Sequence, residues 1–355
     1  MNIQIIDTKS PLWSETLKRI RHDVYHFPAY VELEAQRLKA LPEAMVIGDG
    51  DRIFFLPYLL RPSHDASLAQ DLDWFDVISP YGYPGFLLSE SAMGSPDFLA
   101  LALEALQDNF YSRRICSAFL RLHPILNGAL QSLNDHGLYS EQGETVSIDL
   151  TLPKSEIWSQ TRKGHKSSIK KCKRLGFEAR IVPYGEYLEA FLEIYQETMD
   201  RAQAQAQYYF DRAYFDGLSQ LGESVHLCIA ERDGVIVSGI ILFESCGIVQ
   251  AHLGGTKTEF IQQSPFMEVL DYVRMWAKDR GNQYFHLGGG VGGKRDNLYT
   301  FKSGFSQQRH HFGVVRLVTD QSLYRQLVEH RAKDLNTSSE ALLESGFFPA
   351  YRASI

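Results

Sequence analysis

Paired cysteines are missing from this chain. Cys116, Cys172, Cys228 and Cys246 are scattered, with no C-x-x-C among them. That excludes a disulfide framework and fits thiols kept reduced and buried. Long apolar runs are missing too. The longest, Ile53 to Leu60, is interrupted by Pro57 and falls far short of the ~20 residues of a transmembrane helix. The opening residues, MNIQIIDTKS, have neither the basic start nor the apolar stretch of a signal peptide. These absences lead us to expect a cytoplasmic protein. No His, Cys, Asp or Glu cluster has zinc-ligand spacing, and no Gly-x-Ser-x-Gly elbow occurs. A metal, a bound cofactor and a serine nucleophile are therefore not expected. Low-complexity sequence is absent as well.

What is present suits a globular protein of two ordinary domains: 355 residues, 44% hydrophobic and 22% charged. Net charge is −7, unevenly spread. Between Arg162 and Arg174 there are seven Lys or Arg in 13 residues and no acid, which leaves 29 bases against 43 acids elsewhere. A concentrated basic segment on an otherwise acidic chain points to an anionic partner.

Site-like chemistry is densest over residues 283–305, QYFHLGGGVGGKRDNLYTFKSGF. A short β-type run ends in Gly288, Gly289 and Gly290. Gly292 and Gly293 follow, then Lys294, Arg295 and Asp296. Glycines let backbone approach a ligand closely, and the cations beyond suggest an anionic one. Gly288, Gly290 and Gly293 satisfy G-x-G-x-x-G, but a dinucleotide site needs a helix opening there. The following Asn297 to Phe301 carries no helical apolar stripe. A Walker A reading fails at Arg295, where a hydroxyl should meet Mg²⁺. The reading favoured here is a ligand loop; the plain alternative is a glycine-rich corner between two strands.

Periodicity gives the frame. Helix is expected over 11–40 with an aromatic interruption at His22–Pro28, then a hairpin turning at Gly48–Asp51, a strand at Trp74–Ile78, a helix opened by Ser95-Pro96 and a strand at Ile115–Leu122. A short helix near 125–136 and a strand near 145–150 follow. The second half repeats this order. Helices are expected over 155–176 and 186–201, then a hairpin turning at Asp233-Gly234 and a strand at Gly247–Leu253. A helix opened by Ser264-Pro265 and stopped at Gly281, and strands at 283–287 and 314–318, complete it. The shared order argues for a duplicated α/β unit. We divide the chain at 1–150, 151–320 and 321–355, the last being helical, with a second cap near Asn336–Ser339, and expected to pack back on the first domain.

Several stretches together resemble the FemAB family. They are Ser79-Pro80-Tyr81-Gly82-Tyr83-Pro84-Gly85, the basic segment from Trp158 through Arg162, Lys163, His165 and Ile169 to Gly176, His252-Leu253-Gly254-Gly255-Thr256, and Leu287 to Phe305. The resemblance covers most of the chain, and the last block is the most specific. It implies an α/β fold of the α+β type: two tandem GNAT-like domains, each a mixed, mostly antiparallel sheet flanked by helices. It also implies an acyltransferase of cell wall biogenesis without metal. Such an enzyme passes an aminoacyl group from aminoacyl-tRNA to an amine of a peptidoglycan-precursor-like acceptor. Relatives include GNAT-like proteins of polysaccharide operons, so the donor stays open between aminoacyl-tRNA and acyl-CoA. The long helical arm of some members has no room here, because Trp158–Gly176 runs within ten residues into the next helix.

Acyl transfer to an amine needs an unprotonated nucleophile, a positioned carbonyl and positive charge near the developing oxyanion. Lys302, between Phe301 and Phe305, is the candidate catalytic cation, with the aromatics expected to bury in the sheet. The alternative is a lysine snorkelling at a strand edge. Arg162, Lys163 and Lys166 are candidate phosphate contacts, with Lys170 and Lys173 further along the same side. Gly288, Gly289, Gly290, Lys294 and Arg295 are candidates in the loop. Arg201 and Tyr81 are added by the resemblance, and Tyr208, His252, His286 and Asp296 are secondary candidates. For the two histidines a satisfied core position is the commoner outcome. Partners would be aminoacyl-tRNA, a phosphorylated envelope precursor and a peripheral membrane contact; oligomeric state is not indicated. Against acyl-CoA in the second domain, the place for a glycine-rich pyrophosphate loop reads Gln262 to Met267, without glycine and with Pro265 lacking an N–H. A non-catalytic binding protein for an envelope glycan is the remaining alternative.

Overall fold

A computed structural model of the chain describes residues 1–62, 74–127 and 138–353. In chain order its first part holds β1 (Asn2–Asp7), α1 (Pro11–Arg19), α2 (Pro28–Leu38), β2 (Leu41–Asp49) and β3 (Arg52–Pro62). Then come β4 (Phe75–Ile78), β5 (Leu87–Leu88), α3 (Glu90–Met93), α4 (Pro96–Ser112) and β6 (Ile115–Arg121). β2 and β3 pair through Asp49↔Arg52, so the turn is Gly50-Asp51, with Gly50 at φ 62°. Strand order is β1-β2-β3-β4-β6, antiparallel except for the parallel β4–β6 step that α4 crosses. Pro96 opens α4, and Leu99, Leu103, Leu106 and Phe110 form its buried stripe. Ser95 precedes it without a side-chain cap bond.

The middle part holds β7 (Tyr139–Asp149), α5 (Lys154–Gln160), α6 (Lys163–Arg174), β8 (Glu178–Val182), α7 (Tyr184–Ala202) and α8 (Arg212–Leu218). β9 (Val225–Arg232), β10 (Val235–Ser245), β11 (Ile248–Thr256), α9 (Phe266–Asp279), β12 (Tyr284–Gly288) and α10 (Asn297–Ser303) follow. The order β8-β9-β10-β11-β12 repeats that of the first part, again with one parallel step, β11–β12, crossed by a helix. β7 adds to β12 antiparallel. The duplication read from Asp-Gly turns and crossover helices is thus present strand for strand. Each half is a GNAT-like mixed sheet flanked by helices.

The chain ends with β13 (Arg309–Val318), α11 (Gln321–Asp334) and α12 (Ser339–Glu344). β13 pairs with β6, and Ser338 caps α12 by accepting from Ala341 N at 3.1 Å. Two compact units result: Met1–Glu141 with Phe312–Ile355, and Gln142–His311. Both boundaries fall inside strands, β7 and β13, where no linker composition marks them. Within the first unit, Trp74 and Cys116 share a core with Tyr324, Leu327, Val328 and Tyr351.

Several local expectations change. Residues 155–176 form two helices rather than one, because Thr161 and Arg162 adopt extended backbone between α5 and α6. Ser264 does not cap α9; it is left-handed at φ 56°, and the helix begins after Pro265. Asn297–Ser303 is helical despite lacking a stripe, since Asp296 accepts from Tyr299 N at 2.8 Å and caps it. The last strand starts at Arg309, not at 314. Residues 128–136 of the helix expected near 125–136 lie outside the described residues. Three cysteines are buried as expected, while Cys246 is exposed.

The second unit's core lies between the sheet and α5, α6 and α9. Phe285 and Leu287 of β12 meet Ile169, Val269, Val273, Tyr299 and Phe305 there. Phe285 is fully buried on the strand that ends in the glycine loop. Phe285→Ala should destabilise the chain by about 3–5 kcal/mol, read as a lower midpoint of chemical denaturation.

Candidate functional site

The glycine loop leaves the sheet where two parallel strands part. β11 and β12 pair only from Ile248↔Tyr284 to Gln250↔His286; β11 then runs on to Thr256 while β12 stops at Gly288. The pairing of β12 with β7 slips between His286 and Gly288, and Gly288 takes φ 77°. The next two glycines have a steric reason. A Cβ on Gly289 would sit 2.8 Å from Glu144 O, and one on Gly290 would overlap the Lys294 carbonyl and the Asp296 carboxylate. The loop therefore doubles back tightly on β7 and on itself.

Lys302 projects from α10 into this loop. It lies on a helix, not a strand edge; Phe305 is buried in the core that the sheet shares with α6 and α9, and Phe301 packs at its margin between those two helices. Phe301 stands 6.2 Å from Phe266 and 5.5 Å from His165, ring centre to ring centre. Lys302 Nζ donates to Gly289 O at 2.8 Å. Among the described residues its two other N–H groups have no acceptor. Burial lowers its pKa to about 8, with Asp296 opposing the shift. Asp296 is itself held below the usual carboxylate range. Burial alone would raise it, but the N–H groups of Tyr299, Val291 and Leu298 and the Lys302 ammonium outweigh that. Its two oxygens accept from Tyr299 N and Val291 N at 2.8 and 2.9 Å, so one carboxylate caps the helix, closes the loop and faces the ammonium.

The other end of α10 is fastened to the basic segment. Arg162 N donates to Gly304 O at 2.8 Å and Thr161 Oγ1 to Phe305 O at 3.4 Å. Buried His165 lies with Nε2 2.8 Å from Phe301 O and Nδ1 3.3 Å from Arg162 Nη2. Its ring fills the space that a Cβ on Gly304 would need. Behind it, fully buried Arg274 donates to Thr161 Oγ1 at 2.7 Å and pairs with Asp271. Lys173 joins that pair, 2.7 Å from Asp271 and 3.7 Å from Glu268.

The structure thus brings together Lys302, Asp296, Gly288, Gly289, Gly290 and, through His165, Arg162. Lys163 and Lys294 are exposed beside them. Arg295 is exposed but pairs with Glu144 at 2.8 Å. Lys166 donates to Ser159 O at 3.0 Å and lies over Trp158. Other candidates fall elsewhere. Arg201, in the last turn of α7, donates to Thr258 Oγ1 at 2.8 Å, and Tyr208 offers its carbonyl to Tyr195 Oη at 2.7 Å. His252 stacks on Phe243 at 4.0 Å; His286 is buried, 2.5 Å from Gln250 Oε1. Tyr81 belongs to the first unit, where its N–H donates to the buried Glu34 carboxylate at 2.9 Å. Sequence reasoning missed His165, although its i, i+3 spacing from Arg162 was visible, and missed Glu144 and Arg309. These two flank Tyr299 Oη at 2.7 and 3.1 Å, bringing β7 from some 150 residues away against α10 and the start of β13.

The start of α9, where a GNAT enzyme would present backbone N–H groups to a pyrophosphate, is occupied by protein. The Phe266 ring packs against Gly254, where a Cβ would come within 2.8 Å of it. Cys172 Sγ lies 3.3 and 3.2 Å from the carbonyls of Gln263 and Ser264. Among the described residues, no group of three or more His, Cys, Asp or Glu could hold a metal, and no helix is long and apolar enough to cross a membrane.

Glu268, in the first turn of α9, is raised to about 7, by burial first, against the pull of Lys173. A carboxyl whose folded pKa is raised binds its proton more tightly folded than unfolded. It therefore weakens the fold as pH climbs from 4.5 toward 7. Glu268→Gln should raise stability by about 1–3 kcal/mol at pH 8 and little at pH 4, checked by denaturation at both values.

Comparisons with known proteins bear on the fold. The acetyltransferase (GNAT) domain family matches residues 159–303. The FemX crystal structure shares the fold at TM-score 0.70 and 13% identity, covering 91% of this chain and 99% of that one. L-PGS from Bacillus licheniformis shares it at 0.55 and 13%, over 94% and 100%. A C-terminal domain assigned to a lysylphosphatidylglycerol synthetase of Agrobacterium fabrum does so at 0.54 and 14%, over 87% and 93%. No curated protein matches the chain. The chain thus carries an acetyltransferase (GNAT) domain over residues 159–303 and shares its fold with FemX.

Proposed function

We propose that the protein transfers an aminoacyl group from aminoacyl-tRNA to an amine of a phosphorylated cell-envelope precursor, in the cytoplasm. The observation that carries this reading is the desolvated Lys302 ammonium, bonded once to Gly289 O and with two N–H groups left to give. The fold likeness to FemX and to L-PGS supports the envelope setting. The crowded start of α9 weighs against CoA in this unit.

The reaction attacks the ester carbonyl carbon of the donor with the acceptor amine. A C–N bond forms, and the carbonyl oxygen gains charge. The bond to the ribose oxygen then breaks, and the proton lost by the amine ends on that oxygen. Lys302 would stabilise the oxyanion, where one fixed donor is worth about 2.7–4 kcal/mol. Arg162, with Lys163 beside it, would hold a phosphate of the acceptor through charge-assisted bonds of ~1.5–3 kcal/mol each. Such a contact serves ground and transition states alike.

Three outcomes follow from these roles. Lys302→Ala should lower kcat by about 10²–10³-fold with the fold intact, and Lys302→Arg should recover part of it. Arg162→Ala should raise the acceptor KM and leave kcat nearly unchanged. Activity that needs the protonated ammonium is complete below its pKa and lost as pH rises through about 8. The alkaline limb of kcat should therefore sit there and vanish in Lys302→Arg, whose guanidinium stays charged.

The second reading, an acyl-CoA-dependent N-acyltransferase, is favoured by the acetyltransferase family match over residues 159–303. The two separate in one assay. With aminoacyl-tRNA as donor, RNase should stop turnover and acetyl-CoA should yield no product. Micromolar CoA binding by calorimetry together with RNase-resistant turnover would establish the second. Ligand binding that survives Lys302→Ala in a protein without turnover from either donor would mark a binding protein.

A further inference from the structure

The roles given to Lys302 and Arg162 leave one buried side chain between them unassigned. His165 is 3% exposed and contacts Arg162 on one side and Phe301, the residue before Lys302, on the other. Phe301 O accepts from Nε2 at 2.8 Å, and a carbonyl can only accept, so Nε2 carries the proton. Nδ1 is then a lone pair, directed to Arg162 Nη2 at 3.3 Å. Burial, first, and the Arg162 and Arg274 cations keep the ring neutral, with the Phe301 bond opposing them. The rings of Phe301 and Phe305, 5.5 and 4.9 Å away centre to centre, confine it from two sides. Gly304 leaves it space that any larger residue would take. Phe301 directly precedes Lys302, so the carbonyl that His165 grips belongs to the peptide leading into the lysine.

We propose that His165 is a positioning residue that couples the two working cations. One nitrogen fixes the helix carrying Lys302, and the other orients the guanidinium of Arg162 for an acceptor phosphate. The inference rests on the functional reading given above. A ring serving only as packing would need neither nitrogen.

The two nitrogens can be separated. An Asn side chain reaches the Nδ1 position and a Gln side chain the Nε2 position. His165→Asn keeps an acceptor for Arg162 and releases Phe301; His165→Gln keeps the donor to Phe301 and releases Arg162. Two readouts independent of turnover report on the ends. The first is the titration of Lys302 by ¹⁵N-lysine NMR, assigned by its loss in Lys302→Ala. The second is calorimetric binding of inorganic pyrophosphate. In His165→Asn the Lys302 titration should move from about 8 toward the ordinary lysine value of 10.5, with pyrophosphate binding unchanged. In His165→Gln binding should weaken about threefold to tenfold, the equivalent of one lost hydrogen bond, with the Lys302 titration unmoved. The weakening should disappear when Arg162 is already alanine. If both variants shift both readouts alike, shift neither, or both unfold, the ring is packing and the coupling is overturned. If wild-type protein binds no pyrophosphate that depends on Arg162, or Lys302 titrates near 10.5, the functional reading itself falls and takes the coupling with it.

Discussion

An ammonium taken out of water must be met by fixed acceptors, and the segment from Gly288 to Phe305 is arranged around one. The acceptor it uses is the carbonyl of Gly289, and glycine at that place is what lets the loop pass close to β7. The compensating charge is Asp296, and the same carboxylate ends the loop and starts the helix. Removing any of the three disturbs the other two. The helix is only seven residues long and could not hold its own orientation by propensity. Its position comes from the donors of His165 on its Phe301 carbonyl and of Arg162 and Thr161 on the carbonyls of Gly304 and Phe305 just beyond it. The basic segment is therefore part of the construction of the site as well as a charged surface.

The duplication shows why only one half is read as a site. In the second unit the strand after the crossover helix, β12, ends in glycines that leave backbone near an ammonium. In the first unit the equivalent strand is β6, and Leu122-His123-Pro124 follows it. There the imidazole Nδ1 of His123 accepts from the amides of Ile125 and Leu126 at 3.1 Å, and its Nε2 lies 2.9 Å from buried Asp23. Both ring nitrogens are engaged inside the protein, and the residue is fully buried. The same topological position thus carries a locked histidine in one copy and a lysine with donors to spare beside the other.

Much of the fold was legible because its signals are local. Gly50 and Gly234 mark turns, Leu99 to Phe110 spell out one helix face, and the repeated order exposes the duplication. The loop at 288–296 was legible for the same reason. Three things were not. The helix at Asn297–Ser303 has no apolar period and exists because Asp296 caps it and tertiary contacts hold it. The break at Thr161-Arg162 carries no glycine or proline; it is set by bonds to Gly304 and Phe305, some 140 residues on. Arg295 read as a ligand cation, but its pairing with Glu144 depends on β7 lying beside the loop, a fact of sheet order.

The basic segment also divides once its packing is known. Lys173 is drawn onto Asp271 and Glu268, and Lys166 onto Ser159 O and the Trp158 face. These two tie α6 to α9 and α5 at the surface, so each is partly engaged within the protein. Lys163, Lys170, Lys171 and Arg174 face outward with Arg162. An extended polyanion on this face would displace counterions in proportion to the phosphates neutralised, and its affinity would fall steeply with salt. A single phosphate at Arg162 would produce a shallow slope. The magnitude of the salt dependence therefore separates a nucleic-acid donor lying along α6 from a small phosphorylated acceptor held at its first turn. Lys166 and Lys173, already engaged within the protein, should contribute less to that slope than the outward cations.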